Sequence, residues 1–201
     1  MLIPPERLRG FTLVELMIGL AVFALLLALG MPSISEMLQN LKLRGTAESI
    51  LSGLQIARAE ALKRNQTVAF ILTSTDPTAA SVGTYASTAA GPNWAVQATT
   101  DAGLEFVQGR SAAEGSGQSA GATPQFAIGA TPADFSGTVS FDGLGGTALP
   151  SIVTINVSRP AGTCMSDGGN VRCLNIVVTP NGSIKMCDPS VPAVGNDTRA
   201  C

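Results

Sequence analysis

The feature that most restricts the fold of this chain is an uncharged stretch near its N-terminus. Sixteen consecutive residues, Leu16 to Met31, carry no charge. Together with residues 11–15 they form a segment that, as a helix, is about 31 Å long. This length is sufficient to cross the hydrocarbon core of a bilayer. The sequence therefore predicts a membrane-spanning first half of a long helix over residues 11–32.

The residues before this stretch give the predicted span an orientation. Residues 1–10 contain Arg7 and Arg9, and the apolar stretch follows directly. Positive charge at one end of a span favours retention of that end in the cytoplasm. We therefore expect residues 1–10 to remain cytoplasmic and the chain after the span to lie on the outer side of the membrane.

One carboxylate, Glu15, interrupts the apolar segment. A charged side chain near the bilayer centre costs about 2.5–3.5 kcal/mol, and such residues are usually paired and functional. Cleavage after Gly10 would create a free amine on Phe11, four residues before Glu15 and at the positive end of the helix dipole. We therefore predict that Glu15 pairs with this amine, either in its own subunit or in a neighbouring one.

The segment GFTLVELMIGLAVFALLLALGMP, residues 10–32, resembles the leader junction and first helix of type IV pilins and type II secretion pseudopilins. The resemblance implies that residues 1–10 are a leader, that prepilin peptidase cuts between Gly10 and Phe11, and that Phe11 is then N-methylated. It also implies that Glu15 sets the register between subunits. Pro32, which lacks an amide hydrogen, is expected to kink the helix.

Two other interpretations of the N-terminus are possible from the sequence. In a secretory signal peptide, Arg7 and Arg9 would form the basic region, and cleavage after Ala28-Leu29-Gly30 would leave a chain that begins at Met31. A plain single-span anchor is the second alternative. Neither accounts for Glu15, so the pilin-type interpretation is favoured.

A helical pattern resumes after Pro32. Apolar residues recur at steps of three and four as far as Leu62, and most charged residues lie off this stripe. The pattern predicts an amphipathic second half of the helix over residues 33–65, with its stripe packed on a sheet. The segment LRGTAESILSGLQIARAEALKRNQTV, residues 43–68, resembles the early part of the FimT/GspH group of minor pilins, which runs from the helix into the first strand.

The residues after Asn65 show strand periodicity. Strands are predicted at 67–73, 95–99, 104–107, 138–141, 151–158, 171–179 and 183–186. The segments 74–92 and 109–125 are rich in small residues, and we predict loosely packed loops there. The predicted fold class is α+β: a long N-terminal helix, transmembrane in its first half, packed on a small antiparallel β-sheet head of residues 66–201.

All four cysteines lie in the last part of this head: Cys164, Cys173, Cys187 and Cys201. A head delivered to the periplasm is expected to contain disulfides, and four cysteines allow three pairings. Two turns rank these pairings. A turn at 168–169 would place Cys164 opposite Cys173. A turn at 181–182 would place Cys187 on the strand face opposite to Cys173. We therefore predict the pairs Cys164–Cys173 and Cys187–Cys201.

Composition argues against catalysis. The chain has no histidine, which excludes Ser-His-Asp and Cys-His catalysis and removes the commonest transition-metal ligand. The sequence also contains no Cys-x-x-Cys pair of the kind that binds zinc, and its acidic residues occur singly and not in clusters. A membrane-tethered periplasmic enzyme is therefore disfavoured. We predict a protein without enzymatic activity, metal or cofactor.

The resemblance implies a function and a set of partners. It implies a minor pilin or pseudopilin that acts in assembly, priming or capping of a type IV pilus or a type II secretion pseudopilus. The implied partners are other pilin or pseudopilin subunits, prepilin peptidase, the inner-membrane assembly platform and membrane lipid. The implied location is the inner membrane, with a single pass and a periplasmic head, followed by the filament.

DNA binding during DNA uptake is the alternative function that the resemblance offers. Some FimT-like pilins bind DNA through a Gly-Arg-x-Arg motif in the C-terminal hairpin, where this chain has Gly182-Ser183-Ile184-Lys185. The head also carries five basic against nine acidic residues, a net charge of −4. Since binding to phosphates requires the opposite sign, nucleic acid is not an expected partner.

Overall fold

The computed structural model describes residues 10–112, 114, 127–160, 162–194 and 197–201, and their side chains except those of residues 28–36. Its contacts divide the chain into two units, residues 1–39 and 40–201. The long helix α1 runs over Leu13–Arg64, close to the predicted range. The predicted α+β class is confirmed, because the residues after α1 form antiparallel sheets.

In the first unit, the side chains of residues 11–27 are exposed. No helix within the described residues combines the length and the apolar character needed to cross a membrane. The helical range of α1 includes Pro32. Both the membrane span over residues 11–32 and the kink at Pro32 therefore stay predictions.

The helix ends where its backbone turns left-handed. Lys63 and Arg64 lie in its last turn, where positive charge is favoured by the helix dipole. Asn65 follows with φ of +49°, a conformation that asparagine tolerates better than most residues. The amide of Gln66 donates to the carbonyl of Ala61 at 3.3 Å and closes the last turn.

Two four-stranded antiparallel sheets form the second unit together with the end of α1. The strands are β1 (Val68–Thr73), β2 (Asn93–Thr100), β3 (Gly103–Arg110), β4 (Ala127–Thr131), β5 (Thr138–Phe141), β6 (Val153–Ser158), β7 (Leu174–Val178) and β8 (Ile184–Cys187). The first sheet has the order β3-β2-β1-β5, and the second has the order β4-β6-β7-β8. The sequence predicted all of these strands except β4.

The apolar stripe of α1 packs closely on the first sheet, as predicted. A Cβ at Gly53 would lie 2.8 Å from Cε2 of Phe70 and 2.9 Å from Cε3 of Trp94, so only glycine fits there. The indole Nε1 of Trp94 donates to Oγ of Ser49 at 2.9 Å. The helix is thus held to the sheet by apolar packing, by this partly buried hydrogen bond and by an ion pair between Arg64 and Glu105 of β3 at 2.8 Å.

The segment 74–92 is more closely packed than predicted. Ser87 forms a β-bridge with Thr73, and the hydroxyl of Tyr85 donates to the carbonyl of Thr78 at 2.9 Å. A side chain at Gly91 would overlap the backbone of Thr73. The prediction of loose packing was wrong here, because small residues let the loop approach the strand backbone. In the segment 109–125, residues 113 and 115–125 lie outside the described residues.

The structure pairs the cysteines as predicted, but the local geometry differs. Cys164 precedes a 3-10 helix over Met165–Asp167 and not a two-residue turn, and Cys173 precedes β7. In the next hairpin, Cys187 lies opposite Asn175 and not opposite Ile176. The predicted register was wrong by one residue. The prediction that Cys187 lies on the strand face opposite to Cys173 was therefore also wrong.

This register difference comes from the turn itself. The amide of Thr179 donates to the carbonyl of Ser183 at 3.0 Å, and the amide of Gly182 donates back to Thr179 at 2.9 Å. The loop therefore has three residues, 180–182, with Gly182 at φ of +79°. A three-residue hairpin loop with glycine in the left-handed region is common, and it shifts the pairing by one position.

Candidate functional site

The predicted cleavage site lies in accessible, non-helical chain. Residues 10–12 precede α1 and are exposed, and Phe11 retains 87% of its accessible surface. A Cβ at Gly10 would meet no atom within 4 Å. The peptide bond between Gly10 and Phe11 is therefore exposed and lies outside the helix, and cleavage there stays a prediction.

Thr12 caps the helix that follows. Its Oγ1 accepts a hydrogen bond from the amide of Glu15 at 3.2 Å, and its carbonyl accepts one from the amide of Leu16 at 3.1 Å. Thr12 thus occupies the N-cap position and Glu15 the third helical position. The spacing Thr-x-x-Glu before an apolar run is the sequence signature of such a cap, and it could have been recognised in advance.

Glu15 is exposed, and no cation among the described residues forms an ion pair with it. Its backbone position is fixed by Thr12 through the capping bond. The carboxylate is therefore placed in the first turn of α1, beside the residues that cleavage would leave at the new N-terminus. The pairing of Glu15 with the amine of Phe11 stays a prediction.

At the other end of the chain, the last residues are tied to β8. The Cys187–Cys201 disulfide closes this segment. The amide of Asp188 donates to the carbonyl of Arg199 at 2.7 Å, and Nζ of Lys185 donates to the carbonyl of Ala200 at 2.8 Å. Residues 199–201, the end of this C-terminal tail, are therefore held against β8.

A buried carboxylate lies at the base of this tail. Asp188 is 4% exposed and accepts hydrogen bonds from Nε of Arg172 at 2.8 Å and from the amide of Ser190 at 2.9 Å. Burial alone raises the pKa of Asp188, but the bonds from Ser190 and Arg172 outweigh it. The pKa therefore lies below its ordinary value. The carboxylate is ionised and structural at neutral pH.

The C-terminal hairpin gives no support to DNA binding. Arg172 pairs with Asp188, Arg199 pairs with Asp197 at 2.7 Å, and Lys185 donates to a backbone carbonyl. The two arginines are thus paired with carboxylates, and the ammonium group of Lys185 is engaged by a carbonyl of the same head. In the described part of the chain, no three Cys, Asp or Glu side chains cluster in an arrangement that could hold a metal ion.

Two protein-family models match this chain. The family model described as the prokaryotic N-terminal methylation motif matches residues 7–31. The model described as type II transport protein GspH matches residues 46–182, more than half of the chain. The helix, the sheets and the N-terminal motif define a pilin-type subunit with a prepilin leader. The chain belongs to the GspH family.

Two solved structures that this chain matches are crystal forms of one protein. Two crystal forms of the type IV minor pilin FimU from Pseudomonas aeruginosa strain PAO1 are each 16% identical to this chain. Their TM-scores are 0.49 and 0.47, and the matches cover 75% of this chain and 92% and 97% of the FimU chains. No curated protein matches the sequence at a significant level.

Proposed function

We propose that this protein is a minor pilin or pseudopilin, a non-catalytic subunit that acts in assembly, priming or capping of a type IV pilus or a type II secretion pseudopilus. Prepilin peptidase cuts it between Gly10 and Phe11 and methylates the new amine. The processed chain is then anchored in the inner membrane through residues 11–32, with the head in the periplasm, before it enters a filament. Its partners are other pilin-type subunits, the assembly platform and membrane lipid.

The observation that carries this proposal is the geometry at the start of α1. The Gly10–Phe11 bond is exposed, and the cap by Thr12 starts the helix two residues later. The peptidase can therefore reach the bond without unwinding α1. The same cap places Glu15 in the first helical turn, where its carboxylate is available to an amine of its own or of an incoming subunit.

The test is the intact mass of the protein isolated from its host's membranes, with three variants. For the wild-type chain we expect a start at Phe11, one added methyl group and two disulfides. Gly10→Val is expected to block processing, because it places a branched side chain beside the scissile bond. Since a Cβ at Gly10 meets no atom, the substitution leaves the fold unchanged.

Glu15→Gln separates processing from assembly. The variant is expected to be cut and methylated as in wild type but to be lost from sheared filaments, because the carboxylate partner of the amine is missing. Glu48→Gln is the matched control. It makes the same change on the same helix at an exposed pair with Arg44, and it is expected to assemble normally. A mature chain that begins at Met31 would contradict the proposal, and so would normal assembly of Glu15→Gln.

Deletion of the gene distinguishes the two machines. Loss of twitching motility with normal secretion assigns the subunit to a type IV pilus, and loss of secretion with normal motility assigns it to a pseudopilus. Complementation with the wild-type gene should restore the missing phenotype, whereas complementation with Gly10→Val should not. If neither phenotype changes on deletion, a role in these filaments is contradicted.

A further inference from the structure

The four edge strands of the two sheets differ in how they are protected. An exposed edge presents unpaired amides and carbonyls, and proteins usually prevent unwanted pairing with charges, bulges, short strands or covering segments. The edges of the first sheet are β3 and β5, and those of the second are β4 and β8. A strand that lacks charges, bulges and a covering segment is a candidate for pairing with another chain.

The two edges of the first sheet are both protected. β3 carries Glu105 and Arg110, and its pairing with β2 is broken by a register shift between Val96 and Gln97. β5 is only four residues long, and Phe141 at its end forms a bridge with Thr147. Neither edge offers a long, regular and uncharged row of backbone groups.

The β8 edge is covered by the C-terminal tail. Lys185 lies within this strand and donates to the carbonyl of Ala200. Asp188, directly after the strand, forms a parallel bridge with Ala200, and the Cys187–Cys201 disulfide fixes the tail in this place. An incoming strand would have to displace a covalently attached segment.

β4, one residue longer than β5, has neither a charge nor a bulge, and among the described residues no segment covers its outer edge. Its sequence, Ala127-Ile-Gly-Ala-Thr131, contains no charge and no proline, and its pairing with β6 is continuous, without a register shift. In the described part of the chain, β6 is the only strand that pairs with it. A Cβ at Gly129 would meet no atom within 4 Å, so the face above the strand centre is open.

The composition of β4 suits a second copy of itself. In an antiparallel pair centred on Gly129, each Gly129 faces the other, Ile128 faces Ala130, and Ala127 faces Thr131. Each of these pairs lies on one face of the strand, because positions that differ by two share a face. The contact is isologous, brings no like charges together and places only small or apolar residues opposite one another.

We propose that the β4 edge, which no other described strand pairs with, pairs antiparallel with the β4 edge of a second copy of this chain. This pairing joins two four-stranded sheets into one continuous sheet. The contact uses only the head and does not depend on the proposed filament function. Because the contact involves only five residues of each chain, we expect a weak dimer that dissociates on dilution.

Charge placed at Gly129 tests the proposal. Gly129 does not have a positive φ, and a Cβ there is unobstructed, so lysine and glutamate are compatible with the fold. Gly129→Lys and Gly129→Glu each place like charges opposite one another across the two-fold axis and are expected to abolish pairing. An equimolar mixture of the two variants places opposite charges together and is expected to restore it.

The measurement is amide hydrogen exchange of residues 127–131 in the full-length protein in detergent micelles. For wild type, an approximately tenfold dilution is expected to accelerate exchange in β4, because the dimer dissociates by mass action. Each single variant should show fast exchange at every concentration, and the mixture should recover the slow exchange. Association through the helices alone, without β4 pairing, would give fast exchange in β4 at every concentration and would count against the proposal.

Gln108→Lys and Gln108→Glu are the matched controls, since they place the same charges on an exposed position of the β3 edge. In both control variants, the β4 amides should exchange at the same rate as in the wild-type protein. Three results overturn the proposal: fast exchange in wild-type β4 at all concentrations, slow exchange that does not change on dilution, or a mixture that stays as fast as the single variants. The second result would show that β4 is covered within its own chain.

Discussion

Arg172 donates from Nε to the carboxylate of Asp188 at 2.8 Å, and each of these residues is the sequence neighbour of a disulfide-bonded cysteine. Arg172 precedes Cys173 and Asp188 follows Cys187, so that the ion pair connects the two disulfide-closed segments. Asp188 is buried whereas Arg172 is half-exposed. The pair therefore acts as a non-covalent link between two covalently closed loops.

The first prediction concerns this link. Asp188→Asn is expected to lower the free energy of unfolding by about 1.5–3 kcal/mol, the usual contribution of a hydrogen bond to a charged group. Arg172→Gln should act in the same direction, because it leaves a buried carboxylate without its cation. Denaturant unfolding of both single variants and of the double variant gives the coupling between the two residues. Additive effects would show that the two side chains do not interact.

The second prediction concerns pH. Hydrogen bonds from Arg199, first from its guanidinium and then from its amide, lower the pKa of Asp197 to about 2. A group whose pKa is lowered on folding stabilises the fold above its unfolded pKa, and this contribution is lost as pH falls through the folded pKa. We therefore expect stability from Asp197 to be lost between about pH 4 and pH 2, and Asp188 to act in the same direction.

A carboxyl-detected NMR titration measures this directly. The Asp197 signal should still report an ionised group at pH 3. In Arg199→Gln its pKa should rise toward the ordinary value for aspartate. Arg110→Gln removes a cation of the same kind from β3 and is the control, for which no change at Asp197 is expected. An Asp197 that titrates at its ordinary pKa in the wild-type protein would show that the Arg199 contact does not persist in solution.

The third prediction concerns the contact between α1 and the first sheet. Gly53→Ala should destabilise the protein by about 1–3 kcal/mol, because the new methyl group would overlap the rings of Phe70 and Trp94. Gly45→Ala is the matched control on the same helix. A Cβ at Gly45 meets no atom, so alanine should stabilise the helix by up to about 1 kcal/mol. Thermal unfolding of the two variants should shift in opposite directions.

The strands that the sequence predicted best are those whose side chains alternate between apolar and polar. β5 has the predicted bounds, and β6 lies within its predicted range. β4 was missed because Ala127-Ile-Gly-Ala-Thr131 has small residues and a central glycine, which have low strand preference. Its strand structure comes from pairing with β6, a tertiary contact that local sequence does not encode.

The N-terminal site and the disulfides also show how much the sequence alone can predict. The residues alone predicted the N-terminal methylation motif that the family model matches, whereas cleavage after Gly10 and the role of Glu15 stay predictions. The cap by Thr12 was overlooked although its spacing was visible. The cysteine pairing agreed with the prediction even though the turn lengths did not. In the turn at 180–182, Gly182 approaches the backbone of Gly145 closely, and this contact between distant residues is not visible in the local sequence.

That turn provides the fourth prediction. Gly182 has φ of +79°, and a Cβ there would overlap the carbonyl oxygen of Gly145. The same carbonyl accepts a hydrogen bond from Nε of Arg58 on α1 at 3.2 Å. Gly182→Ala therefore combines backbone strain of about 1–2 kcal/mol with a steric overlap that disturbs the contact between α1 and the loop.

Gly168 separates these two effects, because it has φ of +81° and a Cβ there meets no atom. Gly168→Ala should cost only the strain of about 1–2 kcal/mol. Gly168→Asn should recover most of that loss, because asparagine tolerates the left-handed region. Gly182→Asn should recover little, because its Cβ still overlaps Gly145. If chemical denaturation shows equal recovery at both sites, the close approach of Gly182 to Gly145 does not limit stability, and strain alone explains the requirement for glycine.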